Sequence, residues 1–127
     1  MTKIKGIAEI VLNVHNMDAS LKFYQEVLGL EVIGRPGPVF LKAGEPAVDI
    51  PQMIVLFPLP PDAASFETPR TLHHLALELD PADFEAEEQR LKALGYEIRY
   101  GQHPVLPSRT MYVDDPDGNE VEFICSA

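Results

Sequence analysis

Met111-Tyr112-Val113-Asp114-Asp115-Pro116-Asp117-Gly118-Asn119-Glu120-Val121-Glu122-Phe123 closes the chain with a turn and a strand. The centre, Asp114 to Asn119, is turn chemistry. Pro presets φ, Gly tolerates a positive φ, and Asp and Asn bond their own backbone. The flanks alternate, so Val121 and Phe123 point one way while Glu120 and Glu122 point the other. Two acids on one strand face either meet water or line a cavity, and the rest of the chain decides between these.

Working outward, Arg109 to Val113 pairs with Glu120 to Ile124 as a final hairpin, and Gly101 to Ser108 is the loop before it. Tyr96 to Tyr100 alternates as a strand. A helix over Ala82 to Leu94 starts at Asp80-Pro81 and stops at Gly95, with Phe84, Leu91 and Leu94 inward. Before it, His74, Ala76 and Glu78 alternate with Leu75, Leu77 and Leu79 in a half-buried strand that begins after Thr71. On that alternation His73 points to the helix side and reads as structural.

The first half has the same grammar. Ile10, Leu12 and Val14 form one row of a strand, and Glu9, Val11 and Asn13 the other. An acid such as Glu9 on a largely apolar strand is costly unless it is paired or liganded. A helix follows, capped by Asn16 or Asp18 and ended by Gly29, with Leu21, Phe23, Tyr24, Val27 and Leu28 as its core face. Short strands over Glu31 to Ile33, Val39 to Leu41 and Met53 to Phe57 complete it. Pro-rich sequence from 59 to 70 is a linker or a lid.

Three anchors align the halves at a nearly constant offset. Glu9 to Val14 matches His74 to Leu79, Leu28 to Glu31 matches Leu94 to Glu97, and Ile54 to Phe57 matches Glu120 to Phe123. The chain therefore reads as one domain over 1–127 built from two βαβββ units, about 5–58 and 71–125. The fold class is α+β. The apolar rows lie under each unit's helix, which leaves Glu9, His74 and Glu122 on the helix-free face, while Leu56 takes the place that mirrors Glu122.

With these pieces in order and spacing, the sequence resembles the vicinal oxygen chelate superfamily, which includes glyoxalases, bleomycin resistance proteins and extradiol dioxygenases. The resemblance rests on Phe23-Tyr24 with Val27-Leu28-Gly29-Leu30, on His74 to Leu79, and on Asp115-Pro116-Asp117-Gly118-Asn119 followed by Glu122. It implies an eight-stranded, curved, incompletely closed mixed sheet with helices outside. It also implies a divalent metal held by the first and last strands of each unit. Carried over, the ligands are Glu9, His74 and Glu122, whereas Leu56 departs from the Glu or Gln of glyoxalases. One imidazole and two carboxylates suit Ni, Zn, Mn, Co or Fe. Glu9 and Glu122 are the catalytic candidates, Glu9 as general base. Tyr112, Arg109 and His103, near the last hairpin, are candidate substrate contacts.

The reading that follows is a metal-dependent, glyoxalase-like lyase or isomerase acting on a small vicinal-oxygen substrate. A metal-free ligand-sequestering protein is the alternative, and an extradiol-type dioxygenase the second. The resemblance implies a homodimer. A formal net charge of −10 argues against nucleic acid and anionic membrane as partners. The N-terminal Met1 to Gly6 carries no apolar signal core, and the expected location is the cytoplasm. Cys125 is the single cysteine, so no disulfide framework is expected.

Overall fold

The first alternating stretch forms strand β1 (Glu9–Val14), in which Leu12 and Val14 are buried and Glu9, Val11 and Asn13 are exposed. The computed structural model describes residues 3–67 and 70–127. The Asn16 side chain caps helix α1 (Met17–Leu21) by accepting a hydrogen bond from the Ala19 amide at 3.0 Å. The helix then widens into a π-wound turn, Lys22–Val27, whose end is marked by the Leu28 amide donating to the Phe23 carbonyl at 2.9 Å. The wider turn lets two sequence neighbours, Phe23 and Tyr24, both face the core, with ring centroids 5.0 Å apart edge to face. Gly29, at φ 76°, supplies the left-handed residue that takes the chain out of the helix.

Strands β2 (Glu31–Gly34), β3 (Val39–Gly44) and β4 (Gln52–Pro58) complete a sheet of order β1-β4-β3-β2. β1 and β4 run parallel and the other neighbours antiparallel, and α1 packs against β4. The second unit repeats the plan. Strand β5 (Leu75–Glu78) leads to a 3-10 turn at Pro81–Asp83, where the Asp80 side chain caps the Ala82 amide, and then to α2 (Phe84–Ala93). Strands β6 (Arg99–Gly101), β7 (Ser108–Asp114) and β8 (Glu120–Ser126) give the order β5-β8-β7-β6. The α2 terminus is a Schellman turn: Tyr96 N–H donates to Leu91 O and Gly95 N–H to Lys92 O, with Gly95 at φ 92°.

The protein is thus an α+β fold of two βαβββ units, each holding one mixed four-stranded sheet. The compact units are Met1–Ser65 and Phe66–Ala127, and the break falls inside the 59–70 linker. No helix or strand occupies the described part of that linker, and Thr68 and Pro69 lie outside the described residues. Among the described residues no helix is long and apolar enough to cross a membrane.

Two expectations change. Leu94 is 54% exposed, because α2 ends at Ala93 and the apolar stripe ends with it at Leu91. Leu56, expected to mirror Glu122, instead pairs with Leu12 in the buried row. Glu122 pairs with Ala76, on the exposed row of β5. Val11 is the counterpart of Ala76 and pairs with Val55, so the mirror of Glu122 is Val55. The registers of the two parallel pairs differ by a step that the sequence alignment does not contain, and a one-residue step changes the face of a side chain.

Leu56→Ala should therefore destabilise the protein by about 2–5 kcal/mol through the cavity it leaves. Leu94→Ala should stay within about 0.5 kcal/mol. Chemical denaturation of both variants checks the pair.

Candidate functional site

The turn quoted at the outset is a self-contained structural device. The Asp115 carboxylate, 5% exposed, accepts hydrogen bonds from the amides of Asp117 (2.9 Å) and Asn119 (2.8 Å) and from the Asn119 side chain (2.9 Å). Arg70 latches it from outside, donating to the Asp117 carbonyl at 2.5 Å and to Asn119 Oδ1 at 3.1 Å. Gly118, at φ 80°, completes the turn, and a Cβ there would stand 3.1 Å from the Arg70 guanidinium. These bonds fix where β8 begins, and so which of its residues face the cavity.

From that start, Glu120 and Glu122 fall on the same face as Tyr112 and Asp114 of β7, because Tyr112 pairs with Glu122 and Asp114 with Glu120. Parallel pairing of Ala76 with Glu122 brings the residue before β5 to the same place. His74 Nε2 lies 3.1 Å from Glu122 Oε1. Glu122 is 4% exposed, and a buried carboxylate needs such a partner. The Tyr112 ring stands edge to face with His74 at 6.1 Å.

Further along this face Arg99 Nη2 bridges Asp114 Oδ1 (2.6 Å) and Glu120 Oε2 (3.1 Å). The Asp114 hydrogen bond raises the guanidinium pKa above its usual value against the opposing effect of burial, and Glu120 adds to it. Arg70, His73, Arg99, Asp114 and Glu120 border an open cavity of about 530 Å³ within the second unit.

The residues expected to form a site are placed differently from one another. His74, Glu122 and Tyr112 are brought together. Glu9 is an exposed residue of β1 in the first unit, in the row opposite the buried Leu12 and Val14. Arg109 lies on the other face of β7, stacked over the Phe84 ring of α2 at 4.3 Å with Glu85 at 3.7 Å. It pairs with the buried Cys125, so the alternation that aims Tyr112 at His74 aims Arg109 at the helix. His103 Nδ1 accepts from the amides of Val105 (3.1 Å) and Leu106 (3.0 Å), which shapes its own loop. His73 is not on the helix side. Its Nδ1 lies 2.8 Å from His74 Nδ1, because the strand begins only at Leu75 and alternation does not extend to His73. Arg99 joins the group without a signal in the sequence, and it holds Glu120, already expected on the face of Glu122, at 3.1 Å. The period-2 rows contain Arg99 and Glu120, but only the β6–β7–β8 register says that they meet.

This chain belongs to the Glyoxalase/Bleomycin resistance protein/Dioxygenase superfamily, whose family profile matches residues 6–123. A lactoylglutathione lyase of Neisseria meningitidis serogroup A is 30% identical over 123 residues, covering 90% of this chain and 86% of the relative. The structure of a lactoylglutathione lyase from Agrobacterium tumefaciens superposes with a TM-score of 0.75 at 29% identity, over 98% of this chain and 96% of that one. A fosfomycin resistance protein from Listeria monocytogenes shares the fold, with a TM-score of 0.71 at 20% identity over 98% and 96% of the two chains.

Asp115→Ala removes the acceptor of three bonds and should lower stability by about 2–3 kcal/mol. Urea denaturation measures it, and Asp115→Asn should recover part of the loss.

Proposed function

We propose that the protein is a metal-dependent enzyme of glyoxalase type, a lyase or isomerase acting on a small substrate with vicinal oxygens. The observation that carries this reading is the His74–Glu122 pair, an imidazole nitrogen and a buried carboxylate oxygen 3.1 Å apart on the sheet face whose Asp114 and Glu120 border the open cavity. The donor chemistry fits a borderline divalent cation such as Zn, Ni, Co, Mn or Fe. His74 and Glu122 would hold it together with Glu9, which occupies the position of His74 in the first unit and is exposed on the face away from that unit's buried row. Val55, the register mirror of Glu122, offers no donor, so three protein ligands leave room for water or substrate.

When bound, such a cation supplies Lewis acidity that polarises adjacent substrate oxygens and acidifies the neighbouring C–H. The chain's own residues do the rest. Glu9 accepts the proton at its carboxylate, and Glu122 returns or holds one from the buried side. Tyr112 presents its ring beside His74 and orients the substrate. Arg109 is stacked on Phe84 and His103 Nδ1 is held by the 105–106 amides, which leaves His103 Nε2 as the nitrogen that would contact substrate. The 30%-identical relative named as a lactoylglutathione lyase makes lactoylglutathione the first substrate to try.

A ligand-sequestering protein without metal is the second reading, and the apolar Val55 is what favours it. A homodimer in the cytoplasm is inferred alongside. Exposed Ile7, Val48 and Ile50 border one open cavity of the first unit, and Val11 (52%) and Phe57 (49%) are exposed on its sheet, apolar surface that a second copy would cover. Light scattering at micromolar concentration should give twice the chain mass of 14.1 kDa.

Calorimetric titration of the metal-stripped protein with zinc should give one cation per chain. His74→Ala and Glu122→Gln should each cost more than the roughly 10–100-fold loss typical of outer-shell changes. Glu9→Gln should lower turnover of lactoylglutathione by roughly 10²–10⁴-fold. No bound metal in the wild type, with tight retention of a small ligand, would favour the sequestering protein.

A further inference from the structure

The imidazole of His74 has two working faces, and only one belongs to the reading above. Its Nε2 meets Glu122, while its Nδ1 meets His73 Nδ1 at 2.8 Å. Two ring nitrogens at that distance cannot both present lone pairs to each other. Either one carries a proton aimed at the other, or a cation lies between them. With metal–nitrogen bonds of about 2.0–2.1 Å, a nitrogen separation of this size is the near-right-angle edge of a five- or six-coordinate ion.

A carboxylate stands ready on the same side. His73, His74 and Glu120 each offer a ligand atom, all within 4.8 Å of one another. Both histidines are exposed and Glu120 is partly so, which lets the side chains close on an ion by small rotations. His73 and Glu120 border the open cavity of about 530 Å³, so the position is reachable from solvent. Arg99 contacts Glu120 through Oε2 at 3.1 Å, which leaves the other carboxylate oxygen for a ligand bond. Asp114 offsets the positive charge of Arg99 nearby, at 2.6 Å.

We propose that His73, His74 and Glu120 form a second seat for a zinc-like divalent cation, contained wholly in the second unit and distinct from the Glu9–His74–Glu122 set. A neutral imidazole has one lone pair, so His74 serves one face at a time. A cation bound at Nδ1 leaves an Nε2–H that donates to Glu122, and a cation bound at Nε2 leaves an Nδ1–H that donates to His73. The two seats therefore exclude each other. Excess zinc would occupy the His73 side of the molecules whose Nε2 side is empty, and the protein would hold one cation per chain at either seat. The seat itself does not depend on the proposed enzyme activity; its exclusion of the other cation does rest on that reading.

The test isolates the second seat by disabling the first. Zinc affinity is measured by competition with a chromogenic chelator for wild type, E122Q, E122Q/E120Q and E122Q/H73A, with circular dichroism confirming that each is folded. E122Q should still bind one zinc, and adding either E120Q or H73A should weaken that residual binding by about tenfold or more. The proposal is overturned if E122Q binds no zinc, or if its residual binding is indifferent to either second change. The step from wild type to E122Q reports on the Glu122 seat alone, so the two readings fail separately.

Discussion

Ala76 pairs with Glu122 across two parallel strands, and nearly everything at the candidate site follows from that register. It sets Glu122 on the exposed row of β5 rather than under α2, and it brings His74 to 3.1 Å from a carboxylate that is otherwise withdrawn from water. A slip of one residue would turn Glu122 toward the helix and Val121 or Phe123 toward His74. The register is held at one end by the Asp115 turn, latched by Arg70, and along its length by the buried Val121, Phe123 and Cys125. The turn sequence that marks the family is thus important here for position. Its own polar groups are consumed in making the bend.

Much of this was legible because the signals were local. Alternation, helix caps and Gly at the helix ends located both βαβββ units, and the repeat put His74 and Glu122 on one face. What stayed hidden depended on long-range register or on local departures from ideal geometry. Leu56 reads as the mirror of Glu122 because aligned anchors cannot show that the two parallel pairs are offset differently. His73 was assigned to the helix side by extending a strand beyond its true start at Leu75. Phe23 and Tyr24 can both be buried only because the helix widens to a π turn, which 3.6-residue periodicity does not foresee. Leu94 lost its core role when α2 ended at Ala93, one residue earlier.

The electrostatics of the second unit also depart from a simple acid-lined face. Arg99 sits between Asp114 and Glu120, so the rim is compensated while the interior carboxylate, Glu122, is left to His74. That division puts Glu122 at the Nε2 side of His74 and Glu120 within reach of His73. It also separates Tyr112, which shares the face of Glu122, from Arg109, which the same strand directs into packing on Phe84.

Anomalous diffraction from crystals loaded with one equivalent of zinc addresses the central assignment directly. The expected result is a peak about 2.0–2.2 Å from His74 Nε2 and from a Glu122 carboxylate oxygen. A fully loaded crystal with no peak on the Nε2 side of His74, or with Glu122 still paired only to an unmetallated imidazole, would contradict it.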